Sequence, residues 1–278
     1  MNDKIIHRLF KFEITYLLYE TLSKMLHTIP NKLLRATVIK RPSASIKSPY
    51  VADIELEDGT KALCHTPGQG CSGMVVPGKT IYVCASKKGS KTAYTAQLAE
   101  QEDEEGVIRV GIHPMVSQTA ARNLLSEISK EAVWSSEVKV GDHSRIDYVG
   151  TLPSGKVIYV EVKTVMVSFE CEKPRVSRRA VFPDGYRKKV TDPMSPRAVK
   201  HAEVLTELAK DPMTEQCVFL FVVPRTDCQY GLRINPADPI YRDAIRNAYK
   251  GGVLMKGFAL DYGLDGTIRL DKEIDVYC

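Results

Sequence analysis

The chain has no CxxC pair and no two histidines at metal-ligand spacing, although it holds seven cysteines: Cys64, Cys71, Cys84, Cys171, Cys217, Cys228 and Cys278. An odd number of irregularly spaced thiols argues against a disulfide framework or a structural zinc site and fits a reducing compartment. Cys64, His65 and Cys71 would supply three metal ligands without a fourth, so buried thiols are expected there. No apolar run reaches the length of a bilayer-spanning helix, and the first residues lack the apolar centre of a signal peptide. The expected protein is soluble and intracellular, with no membrane partner; cytoplasm and nucleus are not distinguished, and organelle targeting stays open. No internal repeat is visible.

What is present is an ordinary globular composition. The 278 residues are 44% hydrophobic and 26% charged, enough for one large core or two modest ones. The net charge of +5 is too small to name a nucleic acid as partner. Its distribution says more. From Lys173 to Lys200, nine basic residues face only Asp184 and Asp192, a net +7, while the acidic run Glu100 to Glu105 lies far away in sequence.

Residues 1–32 place Ile6, Leu9, Phe10, Ile14, Leu17 and Leu18 at near-helical spacing, which predicts an amphipathic N-terminal extension. From 33 to 111 the pattern turns to short alternating strands. In "YVADIELEDGTKALC", Ala52, Ile54 and Leu56 face inward and Asp58-Gly59 supplies a hairpin turn, so a small β-barrel is predicted. From 112 to 278 strands and helices mix. A helix is expected over about 118–131; "SPRAVKHAEVLTELAK" reads as a helix capped by Ser195; "CVFLFVV" reads as a strand buried on both faces. "PIYRDAIRNAYKGG" is a further predicted helix and "VLMKGFAL" a further strand, which together make an α/β (α+β) core.

The stretch "SRIDYVGTLPSGKVIYVEVKTV", 144–165, reads as a hairpin. In its second strand Ile158, Val160 and Val162 share one face, and Val157, Tyr159, Glu161 and Lys163 the other. The second face is either a solvated surface or a site. Adjacent strands can bring Asp147 to Glu161, and two carboxylates at one point repel unless a cation lies between them. Magnesium suits such oxygen ligands, and Lys163 could hold a water or stabilise charge on a phosphoryl group. This is the D…(E/D)xK signature of PD-(D/E)XK nucleases, which many solvated strands also match by chance.

A wider set of motifs adds to it. "LLRATVIKR", "ADIELEDGTKALCHTPGQGCSGMVVPG", "AYTAQL", "SEVKVGDHSRIDYVG", "VIYVEVKTVMV", "VFPDG", "KHAEVLTEL" and "GGVLMKGFALDYGLDGTIRL" resemble, in that order, the motifs of the sugar fermentation stimulation protein (SfsA) family. The resemblance spans about Leu33 to Val276. It implies an OB-like N-terminal β-barrel followed by a restriction-endonuclease-like mixed β-sheet flanked by helices, and DNA, single- or double-stranded, as partner. Self-association into a homo-oligomer stays open.

Glu137, Asp147, Glu161 and Lys163 match the family's acidic and lysine positions. The implied roles are Asp147 and Glu161, with the Val162 carbonyl, as ligands of Mg2+ or alternatively Mn2+, Glu137 completing the acidic shell, and Lys163 orienting the attacking water. Asp184 and His201 match further motif positions as accessory residues. Arg175, Arg178, Arg179, Arg187, Lys188, Lys189 and Lys200 are the expected DNA contacts. The chain departs from the family in "HTPGQGCSGM", in "GIHPMVSQTAARNLL" and in the basic segment "YRKKVTDPMSP". A Mg2+-dependent nuclease is the expected function. The alternatives are a DNA-binding transcriptional or regulatory protein with a non-catalytic nuclease-like core, and an RNA-binding protein that reads through the barrel.

Overall fold

The computed structural model describes residues 25–68, 70–141, 144–185, 187 and 189–278. The helix expected over 1–32 lies mostly outside the described residues. Its described end is different: Met25–Thr28 is a strand, β1, paired with Thr267–Ile274 near the other end of the chain, a partner that no local pattern announces. Among the described residues, no helix is long and apolar enough to cross a membrane.

Alternating apolar residues then build the first sheet from β2 (Leu34–Lys40), β3 (Val51–Leu56), β4 (Lys61–His65), β5 (Thr80–Ala85), β6 (Tyr94–Asp103) and β7 (Gly106–Gly111). Asp58-Gly59 turns β3 into β4, with Gly59 at φ +82°, a left-handed conformation open to a residue without Cβ. The order is β4-β3-β2-β5-β6-β7, and β4 also meets β6 in parallel through Cys64↔Tyr94 and His65↔Thr95. The ring β2-β3-β4-β6-β5 is OB-like, and a last pairing of only two residues leaves the barrel partly open. Ala36, Ile54, Ile81, Ala96 and Val110 fill it together with Cys64 and Cys71. All seven thiols are free.

Next come α1 (Pro114–Arg122), β8 (Val133–Val140), β9 (Ser144–Thr151), β10 (Val157–Thr164), β11 (Arg179–Phe182), α2 (Pro196–Leu208), β12 (Thr214–Val223), β13 (Gly231–Ile234), α3 (Pro239–Lys250), β14 (Leu254–Tyr262), β15 (Thr267–Ile274) and β16 (Val276–Tyr277). The helix expected over 118–131 starts earlier, because Pro114 takes the first helical position, and it ends at Arg122 before a 3-10 turn, Leu125–Glu127. Ser195 caps α2 by accepting from the Ala198 N–H, and Asp238 caps α3 through Tyr241.

The main sheet runs β1-β15-β14-β12-β10-β9-β8, with β10, β12 and β14 parallel at its centre; β11-β13-β16 form a small parallel sheet. On one face, α2 and α3 lay Ala202, Leu205, Tyr241 and Ile245 against Phe219 and Phe221. On the other, Ala120, Ala121 and Leu124 join Tyr82 and Leu98 of the barrel over Val160, Val218 and Leu260. The barrel therefore shares a core with the sheet. At the end of β7 a Cβ on Gly111 would stand 2.5 Å from the Tyr262 ring, so that close approach requires glycine.

Charge fastens the same junction. Arg225, 1% exposed, donates to both oxygens of Asp227 at 2.6 and 2.7 Å and to Gln101 Oε1 on β6 at 2.9 Å. Arg178, 2% exposed, donates to Asp227 at 2.5 Å and to Asp103 at 2.7 Å. Arg175 bridges Asp103 and the Gly106 carbonyl, both at 2.7 Å, and its own N–H donates to Glu105. The acidic run and part of the basic segment, far apart in sequence, are thus each other's counter-ions.

Candidate active site

β9 and β10 pair from Thr151↔Val157 to Tyr148↔Val160 and then part, while β10 continues against β12 with Glu161 opposite Phe219 and Lys163 opposite Phe221. Beyond the parting, the Val162 N–H needs another acceptor. It donates to Asp147 Oδ2 at 2.8 Å. Asp147 Oδ1 accepts from Gln118 Nε2 of α1 at 3.2 Å. The carboxylate is thereby fixed beside the second strand at the level of Glu161 and Lys163.

Ile158, Val160 and Val162 are buried on the α1 side, as the alternation predicts. The opposite face is not solvated. Glu161 is 1% exposed, covered by α2, and its Oε1 accepts from Lys163 Nζ at 2.5 Å and from His201 Nδ1. Arg197, one turn before His201, donates from Nε to His201 Nε2 at 3.4 Å, so the imidazole meets the guanidinium through one nitrogen and Glu161 through the other. Glu161 Oε2 is buried without a hydrogen-bond partner among the described residues.

These contacts set the protonation of the two carboxylates in opposite directions. Burial and the nearby Glu161 charge push Asp147 up to about 6, against the Val162 N–H and Lys163, and Glu137 adds to the rise. Burial acts the same way on Glu161, but the His201 hydrogen bond and the Lys163 charge together outweigh it and hold that carboxyl below its ordinary value. The cluster carries more negative charge than its one ammonium balances. Among the described residues, no three His, Cys, Asp or Glu side chains are gathered as a metal-holding set.

The structure brings Asp147, Glu161, Lys163 and His201 together. Glu137 stands between Ser136 and Val138, which pair with Tyr148 and Ile146, so it lies across from Asp147; it is exposed and has φ +53°. Asp184 is elsewhere, accepting from Ser72 Oγ of the barrel loop at 3.0 Å. Arg175 and Arg178, expected to contact DNA, are instead tied into the ion pairs of the domain junction. Arg179 lies 4.1 Å from the Tyr230 ring centroid and 3.8 Å from Glu170. Arg187 donates to the Ala237 carbonyl at 3.0 Å, Lys189 and Lys200 are exposed, and Lys188 lies outside the described residues. Sequence reasoning did not single out Gln118 or Arg197. Only Arg197 carried a signal, its place four residues before His201 on one helix face.

A family model described as the Sugar fermentation stimulation protein RE domain matches residues 112–266. A Sugar fermentation stimulation protein homolog from Geobacter sp. is 32% identical over 257 residues, covering 89% of this chain and 98% of its own. The homolog from Rhodospirillum centenum is 31% identical over 253 residues, with 87% and 98% covered. Among solved structures, SfsA from Pyrococcus furiosus in complex with Ca2+ aligns with a TM-score of 0.71 over 91% of this chain and 99% of that one, at 20% identity; the likeness is one of fold.

Proposed function

The chain belongs to the sugar fermentation stimulation protein family, and on that premise we propose that it is a DNA-binding nuclease hydrolysing phosphodiester bonds with a divalent cation, Mg2+ or alternatively Mn2+. The observation that carries this reading is Glu161 Oε2, a carboxylate oxygen buried without a partner. Such an orphan is costly unless something fills its lone pairs. Beside it, Asp147 is pushed up to about 6 by burial and by the Glu161 charge. Two oxygen donors held close against their own repulsion fit a hard cation. The Ca2+ in the Pyrococcus furiosus protein supports an oxygen-lined cation site in this fold.

Asp147, Glu161 and the Val162 carbonyl would hold the ion, with Glu137 completing the acidic shell. Bound there, the ion supplies positive charge to the phosphate and an acidified water. The protein's own groups do the rest. Lys163, anchored at Glu161 Oε1, orients the attacking water and offsets the charge growing on the phosphoryl oxygens. His201 also binds Glu161 Oε1, beside Lys163, which leaves Oε2 to other partners. Hydrolysis leaves a 3′ hydroxyl and a 5′ phosphate.

A second reading, a DNA-binding regulator with a structural nuclease-like core, is favoured by the absence of a gathered three-residue ligand set among the described residues. Incubation with single-stranded, duplex and branched DNA in Mg2+, Mn2+ or chelator separates the two. Metal-dependent cleavage that Glu161→Gln abolishes supports the nuclease. DNA binding without cleavage under every condition supports the regulator, and preferential competition by RNA overturns DNA as the partner.

A further inference from the structure

Arg175 and Arg178 are occupied inside the fold, but other cations stand near the carboxylates. Lys139 and Arg145 face each other in register across β8 and β9, both exposed and neither in an ion pair with a described residue. Directly opposed residues on antiparallel strands have Cβ atoms about 5 Å apart, so two like charges there repel. The pair sits two residues beyond Glu137 and Asp147.

The hairpin turns this pair toward a particular side. Ala132, just before β8, and Trp134 of β8 pack on the α1 side of the sheet, whereas Val140, an even number of residues further on, packs on the α2 side. Between them Glu137, at φ +53°, breaks the alternation. β9 shows the same reversal, with Tyr148 in the α1-side cluster and Ile146 in the other. Lys139 and Arg145, neighbours of Val140 and Ile146, therefore face the α1 side. On that side, at the start of β8, exposed Arg122 and Lys130 line a groove with Trp134. Trp134 lies against β9, where a Cβ on Gly150 would stand 2.9 Å from its ring.

We propose that Arg122 and Lys130 on one side and Lys139 and Arg145 on the other form one cationic track that holds a DNA phosphate backbone beside Asp147, on the α1 side of the sheet. The inference rests on the nuclease reading of that site and names the surface that holds its substrate. A polyanion approaching paired carboxylates is repelled, and cations on both flanks offset the repulsion. The spacing suits the ligand: five strand residues from Trp134 to Lys139 span about 17 Å, about five base steps of one DNA strand.

The test measures affinity for a short labelled DNA duplex, and for its single strand, as a function of salt in the presence of chelator. Each lost phosphate contact lowers the slope of log affinity against log salt by about 0.9 on duplex. Lys139→Ala with Arg145→Ala is expected to lower it by about 1.8, and Arg122→Ala with Lys130→Ala by a similar amount, while the first variant melts no lower than wild type because a repulsive pair is gone. Salt-dependent wild-type binding with an unchanged slope in both variants overturns the track and leaves the nuclease reading standing. No binding by wild type at any salt overturns the track together with the DNA reading beneath it.

Discussion

Two buried charged clusters lie in this protein, and they are built on opposite principles. At the domain junction Arg175, Arg178 and Arg225 meet Asp103, Glu105 and Asp227, charge for charge. Hydrogen bonds from Arg175 hold Asp103 well below the usual carboxylate range. Asp227 is also held down, because Arg225 and Arg178 outweigh its burial. In the other cluster one ammonium serves two carboxylates, one of them pushed up and the other carrying an orphan oxygen. Balanced charge, with Arg178, Arg225 and Asp227 at 0–2% exposure, joins two parts of a fold. Unbalanced charge at similar depth costs stability and is tolerated where a ligand completes it.

The contrast is sharpest if variants in the two clusters fail in different assays. Lys163→Ala should reduce the cleavage rate constant about 100- to 1000-fold with DNA affinity near wild type, since it removes a donor that acts on the transition state. Equal rates in a single-turnover assay would remove Lys163 from the mechanism. Arg178→Ala should lower stability by about 3 kcal/mol, or about 6–12 °C in melting temperature, because buried Asp227 and Asp103 each lose a partner. A change within experimental scatter would mean that the junction is held by its apolar contacts alone.

Asp147→Asn should act in the reverse sense. The folded pKa of about 6 lies above the ordinary 3.8, so between those pH values the folded protein keeps a proton that the unfolded chain releases. Stability from the protonated form is complete below about pH 4 and is lost as pH rises through about 6, by up to about 3 kcal/mol. The variant should lack that part of the fall, melt no lower than metal-free wild type at neutral pH, and show a smaller rise in melting temperature with Mg2+. If Mg2+ leaves wild type unmoved and Asp147→Asn merely lowers its melting temperature, no cation site is there. The smallest effect is expected from Arg187→Ala with Lys189→Ala. With Arg187 held by Ala237, the salt slope for DNA should change by no more than about 0.9, and a change near 1.8 would restore that segment as a principal contact.

Patterns of short range were legible in the sequence. Ile158, Val160 and Val162 marked a buried strand face, Ser195-Pro196 marked the start of α2, and "CVFLFVV" marked a strand covered on both sides. The pairing of Asp147 with the Val162 N–H could be anticipated as nearness but not as geometry, since it depends on where two strands part. Contacts of long range were illegible. Nothing in the run of basic residues shows that Arg178 turns inward to Asp103, 75 positions away. His201 was visible only as a helix residue, because its contact with Glu161 depends on how α2 lies over β10. The helix near 118–131 was misplaced for a local reason, an unweighted Pro114.

Among the described residues, the main sheet ends in β1 on one side and β8 on the other. An end strand offers unpaired N–H and C=O groups to any passing chain, including a copy of itself. β1 limits that hazard by an irregular register against β15. β8 carries an outward lysine and a backbone break at Glu137, two features that spoil a flat template. The arm that would accept a polyanion is therefore also one that repels its own twin, and keeping copies apart in a crowded solution follows from the same lysine that would grip a phosphate.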